Sequence, residues 1–248
     1  MNQQARNTKV ITTIGPSSED LTTLKELLRA GVAIFRFNLK HGTLSWHNQT
    51  IKRARGAAQL LSKTVQILVD IPDIQLPGGV DLATSNRAAY IALSHVKTAG
   101  EVTKLKKLVS GAEPPLAIVT KIETREALDN FSAILQKTDA IMVARGDLGR
   151  TIPIEKIPFA QKEIIAACGK AGKMDIVATE MLHSMVTAEA PTRAEVSDVA
   201  NAVLEGSSTL MLSEETAIGR HPVGAVEIMI KIIREAEEWS RSGRVGAL

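Results

Sequence analysis

The prediction of the fold starts from the stretch Ile141-Met-Val-Ala-Arg-Gly-Asp-Leu-Gly149. Four apolar residues give way abruptly to an arginine, a glycine and an aspartate, which is typical of a buried strand that ends in a charged turn. A second stretch, Leu116-Ala-Ile-Val-Thr-Lys-Ile-Glu123, ends in the same manner. Glu123 and Asp147 could therefore converge on one divalent cation, with Lys121 beside them for an anionic substrate.

The composition fits one large globular domain. The chain has 248 residues and is 44% hydrophobic, and α/β barrels commonly run to about 250 residues as a single domain. The net charge of +3 is spread along the chain, and aromatic residues make up only 3%. Since no Lys/Arg-rich run is interleaved with aromatics, we expect no nucleic-acid partner. No apolar run has the length that a membrane span requires.

Two features bear on the compartment. Cys168 is the only cysteine, so an internal disulfide is excluded and a reducing cytoplasm is expected. Residues 1–7 are polar and contain no apolar core, so we expect no signal peptide.

Strand and helix patterns alternate eight times along the chain. The predicted strands are 8–15, 32–39, 65–71, 90–96, 116–123, 140–144, 175–179 and 209–213. The predicted helices are 21–30, 44–61, 101–109, 125–135, 154–171, 191–204 and 222–239, with a short helix at 82–87 inside the connection 72–89. Right-handed crossovers then allow either a doubly wound sheet or a closed (β/α)8 barrel.

The polar residues at the strand ends favour the barrel. A doubly wound sheet binds its ligand at one switch point fed by two or three strands, whereas a barrel gathers side chains from most of its strands. Seven of the eight strands contribute here, through Arg36, Asn38, Asp70, Ser94, His95, Lys121, Glu123, Asp147, Thr179, Ser213 and Glu215. No G-x-G-x-x-G follows the first strand. We predict a single (β/α)8 TIM barrel over residues 1–248.

Seven motifs, in order, resemble those of the pyruvate kinase family. They are Thr8-Lys-Val-Ile-Thr-Thr-Ile-Gly-Pro-Ser-Ser18, Arg36-Phe-Asn-Leu-Lys-His-Gly42, Thr120-Lys-Ile-Glu123, Met142-Val-Ala-Arg-Gly-Asp-Leu-Gly149, Ala178-Thr-Glu-Met-Leu182, Pro191-Thr-Arg-Ala-Glu195 and Met211-Leu-Ser-Glu-Glu-Thr-Ala217. A set this specific, spread from residue 8 to residue 217, is not expected by chance.

The departures from the family pattern are equally informative. The family carries a β-rich lid domain after the third strand, where this chain has only residues 72–89. The resemblance implies a bare catalytic barrel, without that lid and without the family's carboxyl-terminal regulatory domain. In the segment after strand three the family has D-T-K-G-P-E-I-R and this chain has Asp70-Ile-Pro-Asp-Ile-Gln-Leu-Pro77. Ile71 thus replaces a threonine, and Pro77 replaces an arginine.

The resemblance implies a metal site and a catalytic lysine. Glu123 and Asp147 match the family's ligands for a divalent cation, Mg2+ or Mn2+, which accepts one or two carboxylates besides substrate and water. Lys121 resembles the lysine that stabilises the transferring phosphoryl group and the enolate oxygen. The structural alternative is that each acid only forms an ion pair, with Lys121 or with Arg145.

Other matched residues are implied to contact the substrate. Arg36 resembles an arginine that contacts the phosphate. Ala144, Gly146 and Asp147 lie where backbone N–H groups could bind a carboxylate. Thr179 resembles the threonine near the substrate methylene, where a proton is delivered; its structural alternative is a hydroxyl that caps the next turn.

The potassium site of the family is degraded. Asn38 and Asp70 match two of its four ligands, but Lys40 and Ile71 replace the other two. The Lys40 ammonium either occupies the vacant position or points to solvent, and the residues do not decide between these alternatives. We expect that K+ is not required. By the same resemblance, His41 lies on the nucleotide side.

Two further residues, His95 and Ser213, are candidates for the site, and the segment 191–195 bears on assembly. His95 replaces a family phenylalanine; it could act as an acid or base near neutral pH, although a lone histidine is more often structural. Ser213 lies at a strand end. The segment 191–195 resembles one at a family subunit contact, which implies a homodimer or higher homo-oligomer.

Three functions remain open from the sequence. The first is phosphoryl transfer between phosphoenolpyruvate and a nucleotide. The second is a metal-dependent 2-oxoacid lyase or decarboxylase that works through pyruvate enolate, for example on oxaloacetate. The third is a non-catalytic relic or binding module, against which the retained Arg36, Lys121, Glu123, Asp147 and Thr179 argue.

Overall fold

The computed structural model describes residues 8–242, so the expectation for residues 1–7 lies outside the described part. Eight parallel strands form a closed barrel in sequence order, and β8 (Thr209–Leu212) pairs with β1 (Lys9–Thr13) to close it. Helices connect the successive strands. The predicted (β/α)8 barrel is therefore confirmed.

The remaining elements follow in chain order. The other strands are β2 (Ile34–Asn38), β3 (Gln66–Ile71), β4 (Tyr90–Leu93), β5 (Ala117–Ile122), β6 (Ala140–Ala144) and β7 (Met174–Ala178). The α-helices are α1 (Leu21–Ala30), α2 (Leu44–Leu60), α3 (Gly79–Ser85), α4 (Ala99–Leu108), α5 (Arg125–Asp129), α6 (Phe131–Lys137), α7 (Arg145–Leu148), α8 (Ile157–Ala171), α9 (Arg193–Leu204), α10 (Glu214–Ala217) and α11 (Pro222–Arg241). Two 3-10 turns span Ile154–Lys156 and His183–Val186.

The barrel interior explains why polar residues meet at one end. The buried interior cluster consists of Ile11, Ile34, Leu68, Ala92, Val119, Ala140, Met142, Ile176, Ala178 and Met211. Side chains alternate across a strand, so the residue two positions further points to the same face. Arg36 follows Ile34 by two positions, and Lys121 follows Val119 in the same way. The apolar layer thus continues upward into a charged layer at the carboxyl end of the strands.

A larger apolar cluster lies between the strands and the surrounding helices. Helix α1 illustrates how the sequence forms this outer layer. The Asp20 side chain accepts the N–H groups of Thr22 and Thr23 and caps the first turn, and Leu24 and Leu27 are buried. Gly31, at φ 113°, ends the helix in the left-handed conformation that glycine adopts most readily.

Several helix boundaries differ from the prediction. The helix predicted over 125–135 is broken at Asn130, whose side-chain amide donates to the Lys97 carbonyl at 3.0 Å. The predicted helix 154–171 begins as a 3-10 turn before α8, and the predicted helix 191–204 begins at Arg193 because Thr192 is its N-cap. The short helices α7 and α10 and the 3-10 turn at His183–Val186 were not predicted, since four residues show no periodicity.

The connection between β3 and β4 is short and packed. It contains α3, which begins three residues earlier and ends two residues earlier than the predicted helix 82–87. Ile74, Leu76 and Val80 pack against the outer core. In the described residues, no helix combines the length and hydropathy needed to cross a membrane.

Candidate active site

A cavity of about 650 Å3 lies where the carboxyl ends of the strands meet. The predicted site residues that line it are Arg36, Asn38, Lys40, His41, His95, Lys121, Glu123, Ala144, Asp147, Thr179 and Ser213. Asp70 and Gly146 are not on its wall, but each bonds to a residue that is. The structure therefore brings the residues singled out from the sequence into one place.

Lys121 occupies the centre of the charged layer. Its ammonium nitrogen lies 2.7 Å from Glu123 Oε1 and 3.5 Å from Asp70 Oδ2, and it donates to Ser94 Oγ at 2.8 Å. The contact with Glu123 is an ion pair. Lys121 is only 7% exposed, so its charge acts in a medium that screens it weakly.

Glu123 is held from a second direction by His95. The carboxylate is buried, and its Oε2 accepts the backbone N–H of His95 at 2.6 Å. The imidazole Nδ1 lies 3.3 Å from the same oxygen. His95 adopts φ 56°, a left-handed conformation that few non-glycine residues use. In this conformation, the backbone N–H and the ring of His95 both lie against the Glu123 carboxylate.

Arg36 is paired with Asp70 inside the barrel. Its Nε and Nη2 lie 2.9 and 2.8 Å from Asp70 Oδ2, and its Nη1 donates to Thr13 Oγ1 at 2.9 Å. Burial by itself raises the pKa of Asp70, but the positive charges of Lys121 and Arg36 outweigh it and hold the pKa below its usual value. Asp70 therefore stays ionised at neutral pH and remains paired with Arg36.

The Thr179 hydroxyl is also engaged. It accepts the backbone N–H of Gly146 at 2.7 Å and donates to the Ala178 carbonyl at 2.6 Å. From the sequence, the Gly146 N–H could bind a carboxylate. In this conformation that donor serves Thr179, so a carboxylate bound there would compete with the hydroxyl.

The donor set fits a divalent cation that is shared with a substrate. Asp147 is 41% exposed at its side chain, where it lies 3.6 Å from Arg150, and it faces the same cavity as the buried Glu123. Within residues 8–242, no three His, Cys, Asp or Glu side chains gather closely enough to hold a metal by themselves. Magnesium commonly takes one or two carboxylates and completes its octahedron with substrate and water. Glu123 and Asp147 suit that mode of binding.

The loop after β2 is far more exposed than the charged layer. Residues 40–45 are all exposed, including Lys40 and His41. The backbone N–H of Lys40 donates to Asn38 Oδ1 at 3.2 Å. The cations that contact Asp70 are Arg36 and Lys121. At a different edge of the cavity, the hydroxyl oxygen of Ser213 is enclosed and accepts or donates no hydrogen bond among the described residues.

Thr13, Trp46 and His47 are among the wall residues to which the sequence assigned no role. The Trp46 indole N–H donates to Glu19 at 2.6 Å, and the His47 ring packs edge-on to Trp46. His47 Nε2–H donates to the His41 carbonyl at 2.7 Å, and burial lowers the pKa of His47. The rarity of tryptophan is a signal that could have indicated Trp46, since the chain has only two.

The geometry defines a class of protein: a (β/α)8 barrel with acids, a buried lysine and a threonine at the carboxyl face of its strands. A family model described as the pyruvate kinase barrel domain matches residues 5–81 and 78–226. The chain belongs to the pyruvate kinase family.

Curated relatives agree with this assignment. A pyruvate kinase of Thermococcus litoralis is 31% identical over 98% of this chain and 72% of its own length. Pyruvate kinase 2 of Synechocystis is 31% identical over 94% of this chain and 57% of its own length. A pyruvate kinase of Methanocaldococcus jannaschii is 41% identical over 68% of this chain and 40% of its own length.

The relatives are longer than the region they share with this chain. The alignment to the Thermococcus protein runs over 342 positions, although the chain has only 248 residues. That relative therefore has internal residues without a counterpart here. The two matches to the family model meet at residues 78–81, inside the connection between β3 and β4.

Proposed function

We propose that this chain binds phosphoenolpyruvate, pyruvate or a related 2-oxoacid and stabilises the enolate of pyruvate, with weaker phosphoryl transfer to ADP. One observation carries the proposal. Lys121 lies among Glu123, Asp70 and Ser94 at the base of a cavity that Thr179 also lines. A cation fixed in a poorly screened site can stabilise negative charge that develops on a substrate oxygen.

The residues suggest how the chemistry is divided. Lys121 neutralises the enolate oxygen, and Arg36 provides a second cation at the same end of the barrel. A proton leaves the methyl carbon and returns to it through solvent and the Thr179 hydroxyl. When bound by Glu123 and Asp147, Mg2+ or Mn2+ would add positive charge next to the substrate oxygens. Decarboxylation of oxaloacetate would use the same enolate-stabilising groups.

The connection between β3 and β4 motivates the weaker phosphoryl transfer. We take residues 72–89 to replace the lid domain of the family, in agreement with the position at which the family-model match divides. Phosphoryl transfer depends on positioning, on neutralising the nucleotide phosphates and on excluding water. Pro77, where the family has an arginine, cannot supply the rigid cationic fork of a guanidinium.

A single purified sample tests the proposal. Deuterium incorporation into the pyruvate methyl group and oxaloacetate decarboxylation would be followed by NMR, and ATP formation from phosphoenolpyruvate and ADP by a coupled assay, with Mg2+ and then Mn2+. We expect methyl exchange or decarboxylation to be faster than ATP formation. Rapid ATP formation without either would overturn the proposal.

Metal binding has its own test. The double variant Glu123→Gln, Asp147→Asn should lose Mn2+ binding in calorimetry and keep the circular-dichroism spectrum of the parent. The matched control is Glu227→Gln, Glu235→Gln on the exposed face of α11, which should bind Mn2+ like the parent. Undiminished binding in the first variant would exclude the assigned ligands.

A further inference from the structure

Thr179 has an unusual backbone conformation for its residue type. Its φ is 72°, and Glu180 follows at 54°, so two successive non-glycine residues lie in the left-handed region. A β-branched side chain is strongly disfavoured there, and such strain persists only where the surroundings enforce it. The neighbours of Thr179 must therefore hold it in place.

Arg145 is the neighbour that holds the Thr179 carbonyl. Its Nε and Nη2 donate to that oxygen at 3.3 and 2.8 Å. On the other side of the guanidinium, Nη1 and Nη2 each lie 2.8 Å from an oxygen of the Asp198 carboxylate. A two-pronged guanidinium–carboxylate contact fixes orientation as well as charge. Asp198 lies on α9, so the pair ties the end of β7 to the following helix.

The remaining donors of Arg145 are also directed at protein atoms. Nη1 lies 3.3 Å from Gln161 Oε1, and Nη2 lies 2.9 Å from the sulfur of Met181. Gln161 in turn donates to Glu205 at 2.9 Å. The guanidinium is thus surrounded by partners and is not poised to contact a substrate.

The hydroxyl of Thr179 is oriented from the same short helix. The residue after Arg145 is Gly146, and its N–H donates to Thr179 Oγ1 at 2.7 Å. Successive residues of α7 therefore hold the carbonyl and the hydroxyl of one threonine. Neither group can rotate without breaking a hydrogen bond to α7.

We propose that Arg145, braced by Asp198, is a positioning residue that enforces the left-handed conformation of Thr179 and so fixes its hydroxyl at the wall of the cavity, beside the proposed substrate site. The inference builds on the proton-transfer role assigned to Thr179 above. Lysine cannot substitute for Arg145, because an ammonium lacks the planar fork that spans a carbonyl and a carboxylate together.

Kinetics of methyl exchange test the positioning. Arg145→Lys should lower kcat for deuterium exchange at least tenfold and leave KM for pyruvate and the Mn2+ affinity within twofold. Arg29→Lys, exposed on α1, is the matched control and should exchange like the parent. In a Thr179→Ala background, Arg145→Lys should have no further effect on exchange, because its influence passes through Thr179.

The outcomes separate the two proposals. If Thr179→Ala leaves exchange unchanged, the role of Thr179 in the proposed function is wrong. If Thr179→Ala lowers exchange but Arg145→Lys does not, or if the two effects multiply independently, the positioning role is wrong. Should Arg145→Lys fail to fold, Asp198→Asn removes the brace and is subject to the same criteria.

A second measurement does not depend on activity. In protein labelled at the threonine methyl groups, the Thr179 resonance is assigned by its loss in Thr179→Ala. It should shift and broaden in Arg145→Lys and stay in place in Arg29→Lys. An unmoved Thr179 methyl resonance in folded Arg145→Lys would overturn the inference, even in a protein with no measurable exchange.

Discussion

Two regions of the cavity wall are built differently. The clamped loops, residues 145–153, 179–192 and 213–221, are tied to one another by buried or half-buried side chains. Glu215 accepts the N–H groups of Leu182 and Ser213 at 3.1 and 2.7 Å, which joins the loop after β7 to the loop after β8. The open loops, residues 39–43 and 72–78, show mostly exposed or half-buried residues.

A close approach adds to the clamping. A side chain at Gly15 would place its Cβ 2.5 Å from the Ala217 carbonyl oxygen. Glycine is therefore required where the first loop of the barrel packs on α10. The open loops instead adjoin residues 78–81, where the two matches to the family model meet, and Lys40 and His41 are exposed to solvent.

The difference teaches which groups are fixed before a ligand arrives. Pre-organised charges and hydroxyls stabilise a transition state without reorganising during the reaction. On the clamped side, Asp147 and Thr179 are presented by connected loops. On the open side, any nucleotide would meet solvent-exposed side chains such as Lys40 and His41. The contrast between the two regions agrees with the proposal that reactions of the enolate are faster than phosphoryl transfer to ADP.

The largest effect should come from Lys121, where the charged layer meets the clamped side. Lys121→Met should lower methyl exchange by roughly 10²- to 10³-fold, the typical cost of removing one charge-stabilising donor. It should also lower the free energy of unfolding by about 3 kcal/mol, because Glu123 loses its cation in a buried site. Exchange kinetics and urea denaturation measure the two effects.

The control for Lys121 is Lys52→Met on the exposed face of α2, which should change neither quantity appreciably. A Lys121→Met protein that is destabilised yet exchanges at the parental rate would reduce Lys121 to a structural ion-pair partner. The charged layer would then not be the part of the site that accelerates methyl exchange.

The sequence predicted the barrel because each strand carries its own local signal. The bounds of β6 agree with the prediction, since charged residues flank an apolar run on both sides. The gathering of site residues followed from the fold, because strand ends in a parallel barrel share one face. Neither inference required knowledge of distant contacts.

Other features depend on tertiary contacts and have no local signature. The break at Asn130 coincides with a bond to the Lys97 carbonyl, 33 residues away in sequence. The pairing of Arg36 with Asp70 spans 34 residues. The left-handed conformation of Thr179 falls on a residue type that rarely adopts it. No periodicity or turn preference could have indicated these features.

A smaller effect is expected from Glu195, which fastens one clamped loop to the start of α9. It accepts from the Ser184 N–H and hydroxyl at 2.7 and 2.5 Å and from the Thr192 N–H at 2.7 Å. Burial raises the pKa of Glu195, but the hydrogen bonds from Ser184 and then Thr192 outweigh it and leave the pKa below its ordinary value of 4.5. Glu195→Gln should lower the free energy of unfolding by about 1 kcal/mol at pH 7, the usual effect of losing a helix-cap interaction.

The pH dependence of this effect has a definite sign. A carboxyl whose pKa is depressed by folding adds stability above its unfolded pKa and loses that contribution as the pH falls through the folded pKa. The difference between the parent and Glu195→Gln in urea denaturation should therefore shrink below about pH 4.5. Glu163→Gln, exposed on α8, should show no such difference at pH 7. A gap that persists unchanged at pH 3 would mean that the Glu195 charge is not what fastens the loop.

The smallest effect is expected on the open side, at Lys40. Substitution of an exposed residue usually changes the free energy of unfolding by less than about 0.5 kcal/mol, and Lys40→Ser should fall within that range. Asp70 already has two cations, Arg36 and Lys121, and the side chain of Ile71 offers no oxygen to a potassium ion. Methyl exchange by the parent should therefore differ less than twofold between potassium and tetramethylammonium salts.

If the Lys40 ammonium supplies the charge of the missing ion, methyl exchange by Lys40→Ser should become faster in potassium. If Lys40 only points to solvent, that variant should behave like the parent. Strong activation of the parent by potassium would contradict both alternatives and show that Asn38 and Asp70 still hold a monovalent cation.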